Sequence, residues 1–210
     1  MTAQYNFYAV ENFNLKSFYT WKLYWAVIIH YFHMEYLQIP SFDDYRVQEI
    51  YQSYCETFPY DERRSEQQFR SLFSNPRVKV FSVLEELKNI GYLISWELTN
   101  FVFIEHFEIF SEFRSLKYGS EIINHLYKNY SHIVLEAEPE NLDENARRRI
   151  DFYQKNGFVV IDENYVQPCY SPEKNSLNLW LLANWQPEKT DWIEEEIYDV
   201  VYSWLEPGKK

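Results

Sequence analysis

The chain has 210 residues, 46% hydrophobic and 20% aromatic, so it carries enough apolar material for a buried core and does not have a disordered composition. Its formal net charge of -12 favours cationic or amine partners and disfavours nucleic acid, because a phosphate backbone is bound by clustered Lys and Arg. Cys55 and Cys169 lie far apart and the five His are scattered, so we predict no disulfide framework and no bound metal.

The first 33 residues are dense in aromatic side chains and show neither a clean helical nor a clean strand period. Their apolar stretch from Phe18 to Phe32 is shorter than the roughly 20 residues of a bilayer span and contains Lys22 and His30. A basic start and a cleavage site, which a signal peptide needs, are missing. We therefore expect no membrane partner and a cytoplasmic location, and we assign no function to residues 1–33.

A more regular pattern begins at Met34, with a short strand predicted near residues 35–39. SFDDYRVQEIYQSYCETF has apolar residues at helical intervals, and Asp43 or Asp44 would cap its start. FPYDERRSEQQFRSLF predicts a turn and a second helix. RVKVFSVLEELKNIGYLISWEL predicts two strands around a turn near residues 85–89, and NFVFIEHFEIF predicts a third, antiparallel to its neighbour.

The second half of the chain mixes helices with strands. FRSLKYGSEI leads into a helix with Ile122, Ile123 and Leu126 on one face, HIVLEAEP predicts a strand, and ENARRRIDFYQKNGF predicts a helix that Gly157 would close. FVVIDENYV and SLNLWLLANW supply two more strands. DWIEEEIYDVVYSWLEP predicts an amphipathic helix that would pack on its own domain or on a partner. The predicted units are an N-terminal extension at residues 1–33, a main domain at 34–186 and a C-terminal helix at 187–210.

The turn FRSLKYGSEI stands between a strand and a helix, which is the geometry in which free helix N-terminal amides bind an anion. Gly119 would let the backbone approach a pyrophosphate closely. Arg114 and Lys117 add positive charge beside it. The turn is therefore a candidate phosphate-binding loop.

Two longer segments carry a resemblance to a known family. FVFIEHFEIFSEFRSLKYGSEIINHL is similar to the fourth strand and pyrophosphate turn of the GNAT superfamily of acetyl-CoA-dependent N-acetyltransferases, and ENARRRIDFYQKNGF is similar to its N-x-x-A...Y-x-K-x-G-F helix. The resemblance implies an α/β (α+β) fold with a mixed, mostly antiparallel sheet of about six to seven strands, flanked by helices and splayed between the fourth and fifth strands. It also implies an acyltransferase that uses acetyl-CoA as co-substrate and moves the acetyl group directly to a primary amine of a small molecule or peptide.

The same resemblance implies the contacts of the cofactor. Arg114 matches the leading residue of the turn motif, Lys117 stands where the family has its first Gly, and Gly119 matches its last small residue. The main chain of Phe107–Ile109 would pair with the pantetheine arm like an added strand. The implied cofactor-binding residues are Phe107, Glu108, Ile109, Arg114, Ser115, Leu116, Lys117, Tyr118, Gly119, Ser120 and Asn145.

Two residues are the predicted catalytic groups. Tyr153 matches the family's Tyr near the CoA sulfur, and a phenol with a pKa of about 10 is able to protonate a departing thiolate. Glu105 is the first candidate for the base that deprotonates the amine, because strand alternation predicts that it shares a face with Phe107 and Ile109.

Other side chains complete the candidate site. Glu136, on the next strand, is the second candidate base, with His106 and Glu97 behind it. Glu136 and His106 are also the predicted substrate contacts. Lys117 at a Gly position favours an alternative function, a GNAT-shaped module that binds CoA or a partner protein without chemistry. The identity of the amine, the acyl length and the oligomeric state, a homodimer included, stay open.

Overall fold

A computed structural model describes residues 34–203 of the chain. The predicted N-terminal extension and the end of the predicted C-terminal helix, Trp204 included, lie outside the described residues. Within residues 34–203, no helix is long and apolar enough to cross a membrane. Over the same range, the structure brings no three His, Cys, Asp or Glu side chains together as a metal site requires.

The elements follow the predicted order. The first half contains β1 (Glu35–Gln38), α1 (Tyr45–Thr57), α2 (Glu66–Leu72), β2 (Val78–Glu85), β3 (Lys88–Glu97) and β4 (Val102–Ile109). The second half contains α3 (Tyr118–Asn129), β5 (Ile133–Ala137), α4 (Glu144–Lys155), β6 (Val159–Asp162), β7 (Val166–Gln167), β8 (Leu177–Asn178), β9 (Trp180–Ala183) and α5 (Asp191–Ile197). Short 3-10 turns occupy Tyr60–Glu62 and Ser111–Phe113, and a π-helical turn, Tyr198–Tyr202, continues α5.

Local signals explain where several helices begin and end. The Asp44 carboxylate accepts the backbone N–H of Arg46 at 3.0 Å and caps α1, as the sequence predicts. Ser65 and Gln68 form a capping box at the start of α2. Gly157 follows α4 with a φ of 90°, a conformation that favours glycine, so its predicted role in closing this helix is confirmed.

The central sheet has seven strands in the order β1-β2-β3-β4-β5-β9-β6. All neighbours are antiparallel except β4 and β5, which are parallel. Helices cover both faces of this mixed sheet, because the described chain has one hydrophobic cluster on each side. The predicted mixed α/β fold with a mostly antiparallel sheet is therefore confirmed.

Each face of the sheet is closed by a different set of helices. Ile50 of α1 and Phe69 of α2 pack with Trp96 on one face, whereas Ile122 of α3 and Ile150 of α4 pack on the other. The C-terminal helix joins the first face through three fully buried side chains, Ile193, Ile197 and Val201. This helix therefore packs on its own domain.

Two irregularities in β4 shape the middle of the sheet. β4 pairs with β5 only from Val102 to Ile104 and then runs on to Ile109 without this neighbour, so the predicted splay between the fourth and fifth strands is present. The β3–β4 register also shifts, because Ile94 faces His106 whereas Ser95 faces Ile104. Glu105 is consequently an extra residue, which makes this a β-bulge.

Candidate active site

The splay between β4 and β5 opens into a cavity of about 610 Å³. Its walls come from β4, the turn before α3, the start of α3, β5 and α4. The predicted site residues that line it are Glu105, His106, Phe107, Glu108, Ile109, Arg114, Ser115, Lys117, Tyr118, Gly119, Ser120, Glu136, Asn145 and Tyr153. Two candidates do not line the cavity. The Leu116 side chain is exposed, and Glu97, at the end of β3, forms an ion pair with Lys79 at 3.3 Å.

The turn before α3 has the backbone of an anion-binding loop. Ser115 and Lys117 adopt the left-handed conformation, with φ of 66° and 69°. Lys117 is the N-cap of α3 without a side-chain cap, and the Glu121 N–H donates to the Lys117 carbonyl at 3.2 Å. The amides of residues 118–120 precede this bond and have no acceptor inside the helix. They are free to bind an anion at the positive end of the helix dipole.

Packing explains why a glycine, Gly119, occupies this turn. A Cβ added at Gly119 would lie 3.0 Å from the ring of Phe152, which lines the same cavity. Any larger side chain at this position therefore presses α3 away from α4. Gly119 permits the close approach of the two helices beside the anion-binding turn.

Arg114 is tied to the end of β4. Its Nε donates to the Ile109 carbonyl at 2.9 Å, and its Nη2 lies 3.2 Å from the Glu108 carboxylate. The Ile109 carbonyl, one of the predicted main-chain contacts of the pantetheine arm, thus already has a donor. The Glu108 carboxylate is also held by the hydroxyls of Ser53 and Thr57, so it is part of the cavity wall.

The bulge in β4 changes the side on which Glu105 lies. Phe107 and Ile109 pack in the hydrophobic cluster on the face of the sheet that α3 and α4 cover. Glu105 instead binds Trp96 and Arg64 on the face covered by α1. The prediction that Glu105 shares a face with Phe107 and Ile109 is therefore wrong, because the extra residue breaks the alternation.

The Glu105 carboxylate is the centre of a buried polar cluster. It accepts hydrogen bonds from Arg64 Nε at 2.7 Å, Trp96 Nε1 at 2.7 Å and the Tyr170 hydroxyl at 2.8 Å. The side chains of Glu105 and Arg64 have no exposed surface. Burial by itself would raise the pKa of Glu105, but Arg64 and the surrounding donors hold that pKa below its usual value. Glu105 is therefore a permanently ionised carboxylate.

His106, the residue that follows Glu105, is uncharged. Burial lowers the pKa of His106 to about 4, against the opposite effect of Glu105. The Tyr54 hydroxyl accepts the Arg64 backbone N–H at 2.5 Å and lies 3.3 Å from His106 Nε2. The hydroxyl is then able to donate its proton to Nε2, an arrangement in which the ring proton lies on Nδ1. In the part of the chain that the structure describes, the buried Nδ1 has no partner.

Glu136 faces the cavity from β5 with one oxygen unpaired. The Tyr202 hydroxyl donates to its Oε1 at 2.6 Å, whereas its buried Oε2 has no partner among residues 34–203. Burial raises the pKa of Glu136 to about 8, and the charges of Glu105 and Glu62 add to this, against the lowering effect of Tyr202 and Tyr165. The pKa of Glu136 thus lies close to the pH at which most amines are assayed.

Tyr153 lies on α4 against the cavity and is only 7% exposed. Its ring packs edge to face on Phe152 and Phe158, with centroids 5.3 Å and 5.7 Å apart. Burial raises the pKa of its hydroxyl, so the group is a proton donor at neutral pH. Asn145, at the start of the same helix, is an exposed residue at the cavity wall.

Several residues that line this cavity or bond to its lining carry no signal that the sequence patterns could have revealed. Glu62 and Arg64 belong to a charged turn that reads as solvated surface, and Tyr202 belongs to an apolar helical stripe. Gln167 is 2% exposed and lines the cavity, and its buried Nε2 has no partner within the described range. Three-dimensional contacts alone bring these four side chains to the site.

Comparison with known proteins agrees with this geometry. The sequence matches the Acetyltransferase (GNAT) family over residues 47–158. The structure is similar to a putative acetyltransferase from the GNAT family of Bacteroides thetaiotaomicron, with a TM-score of 0.72 and 25% identity over 80% of this chain and 98% of that chain. A search of curated proteins found no significant sequence match. The chain therefore belongs to the acetyltransferase (GNAT) family.

More distant structures share the fold. A chimera of the Vibrio cholerae spermidine N-acetyltransferase SpeG and hSSAT has a TM-score of 0.51 and 15% identity, covering 71% of this chain and 93% of that chain. The PaiA N-acetyltransferase from Thermoplasma acidophilum, solved in complex with coenzyme A, has a TM-score of 0.50 and 14% identity, covering 72% and 98%.

Proposed function

We propose that this protein is an acetyl-CoA-dependent N-acetyltransferase that moves an acetyl group directly to a primary amine of a small molecule or peptide. The observation that carries the proposal is the cavity that an uncapped helix N-terminus and Glu136, with its unpaired buried oxygen, both line. The first group suits a pyrophosphate, and the second suits an amine. Similarity to the named N-acetyltransferases supports the same reaction class.

The residues present fit coenzyme A. The left-handed residues Ser115 and Lys117 open a concave run of backbone amides, which binds anions in many proteins. Lys117 keeps its own amide and adds a charge beside the pyrophosphate. The edge of β4 beyond Ile104, left without β5, offers main-chain groups to the pantetheine arm. Acetyl-CoA supplies the activated acetyl thioester.

We assign the proton acceptor to Glu136 rather than to Glu105. Both oxygens of Glu105 already accept hydrogen bonds, and Arg64 stabilises its charge, so Glu105 is a weak base. Glu136 has a free oxygen, and a base is most effective when its pKa is near the working pH. The proton passes from the attacking ammonium to Glu136 Oε2, which leaves the nitrogen lone pair free to attack the acetyl carbon.

Two further groups complete the chemistry. The uncharged His106 presents an Nδ1–H without an acceptor, which would stabilise negative charge that develops on the acetyl oxygen. Tyr153 donates its hydroxyl proton to the sulfur that departs. The nitrogen gives up its second proton to solvent as the amide forms, Glu136 returns its proton to solvent, and solvent restores the phenol. Glu105 holds Arg64 and Trp96, and so positions the bulge on which His106 lies.

The proposal is tested by thiol release. The purified protein is incubated with acetyl-CoA and a panel of primary amines at pH 8, and free CoA is measured with a thiol reagent. We expect release above background with at least one amine, and a loss of about a hundredfold or more in Glu136→Gln. Calorimetry with CoA runs in parallel. Tight binding without release for any amine would refute the enzyme and would favour the non-catalytic module.

A further inference from the structure

The cavity combines acidic side chains with four cations, Arg114, Lys117, Arg148 and Arg149. Its wall contains the carboxylates of Glu62, Glu105, Glu108, Glu136 and Glu138. Three of these have a cation as partner: Glu105 pairs with Arg64 at 2.7 Å, Glu108 with Arg114 at 3.2 Å, and Glu138 with Arg149.

The other two, Glu62 and Glu136, form no ion pair with any residue in the range 34–203. Glu62 is half-buried in the turn before α2, and Glu136 lies on β5. Both residues line the same cavity. Burial disfavours the charged form of each carboxyl group, and a bound ammonium would stabilise that form, so the cavity favours a ligand with two positive charges.

A second feature, the side chain of Gln167, also indicates that a ligand binds in this cavity. Gln167 is 98% buried, being only 2% exposed, yet its Nε2 has no acceptor within the described part of the chain. Buried polar groups are nearly always hydrogen-bonded in a functional state. Because Gln167 lines the same cavity, the carbonyl of the transferred acetyl group would complete its bonding.

We propose that the acceptor is a linear aliphatic diamine or polyamine, whose reacting amine lies at Glu136 and whose second ammonium binds Glu62. This inference rests on the proposed function and narrows its substrate class. Glu62 then determines specificity, because a neutral group in place of the second ammonium leaves its carboxylate uncompensated.

Protonation gives the proposal a second signature. Burial raises the pKa of Glu62 to about 7, with Glu138 adding to this and Arg149 opposing it. Glu136 faces Glu105, Glu62, Tyr202 and Tyr165. At neutral pH part of the Glu62 population is therefore protonated, and an arriving ammonium displaces that proton. Diamine binding should release protons and should tighten as the pH rises through 7.

The test compares 1,5-diaminopentane with 5-amino-1-pentanol, which replaces one ammonium by a neutral hydroxyl. Values of kcat/KM at saturating acetyl-CoA should favour the diamine by about tenfold or more. In Glu62→Gln this ratio should fall to near one. Glu163→Gln, which removes an exposed carboxylate that does not line the cavity, should keep the ratio.

Calorimetry of 1,5-diaminopentane with the CoA-bound protein decides the same point without turnover. We expect Glu62→Gln to weaken binding by about tenfold, and the heat to depend on the ionisation enthalpy of the buffer. Equal efficiency with the two substrates, or a diamine preference that persists in Glu62→Gln, would overturn the inference while the proposed reaction stands. If no amine releases CoA, the proposed reaction fails. The difference in diamine affinity between the wild type and Glu62→Gln still shows whether Glu62 binds the second ammonium.

Discussion

Replacing Glu136 by Gln separates the catalytic role of this side chain from its effect on stability. Gln keeps the size of the side chain and an oxygen that accepts the Tyr202 hydroxyl, but it takes up no proton. In the folded wild-type protein, burial raises the pKa of Glu136 to about 8, whereas an unfolded Glu titrates near 4.5. Between these two values the folded state holds a proton that the unfolded state has released.

The sign of the pH dependence follows from that difference. A raised pKa contributes stability that is fully present below pH 4.5 and is lost as the pH rises through about 8. From pH 5 to pH 8, at about 1.4 kcal/mol per unit, the wild type should lose about 4 kcal/mol of unfolding free energy through this group. Glu136→Gln should lack this loss and should therefore be the more stable protein at pH 8.

Urea unfolding of both proteins at several pH values from 5 to 8 measures the difference, because contributions from other groups largely cancel. The thiol-release assay on the same samples should show that the variant, although more stable, has lost about a hundredfold or more in kcat/KM. A variant with near wild-type activity would refute Glu136 as the base. Parallel stability curves for the two proteins would refute the raised pKa.

Three other substitutions have expected outcomes. Glu105→Gln should lower the unfolding free energy by about 3 to 5 kcal/mol in urea titrations, since it leaves Arg64 as a buried charge without a counterion. A loss of activity without destabilisation would point instead to a direct chemical role of Glu105. Tyr202→Phe removes a hydrogen bond that lowers the pKa of Glu136, so the acidic limb of the kcat/KM profile should move to higher pH, and an unmoved limb would disprove this coupling. Lys117→Gly should stabilise the fold by about 1 kcal/mol in thermal unfolding, because Gly adopts the left-handed conformation without strain. The same substitution should leave CoA affinity unchanged or tighter. A marked loss of affinity would show that the Lys side chain itself binds the cofactor.

The fold was accessible from the sequence because its signals are local or repeat along elements. The apolar period of α1, the cap at Asp44 and the turn closed by Gly157 each depend on residues close in the chain. The splay between β4 and β5 was expected from the resemblance, and the short β4–β5 pairing confirms it.

The arrangement of the acceptor end could not be predicted in the same way. The bulge at Glu105 depends on how β4 pairs with β3, and no local pattern announces it. Tyr202 reaches Glu136 across 66 positions of sequence, and Tyr170 reaches Glu105 across 65. Such contacts fix which carboxylate is ionised and which is free, and they become visible only in the folded chain.

The most direct test of the central claim is mass spectrometry after incubation with trideuterated acetyl-CoA and an amine such as 1,5-diaminopentane. The account predicts that the amine gains one intact trideuterated acetyl group, that free CoA appears in equal amount and that the protein stays unlabelled. Label that accumulates on the protein would contradict direct transfer, and an amine that stays unlabelled while acetyl-CoA is bound would contradict the proposed enzyme.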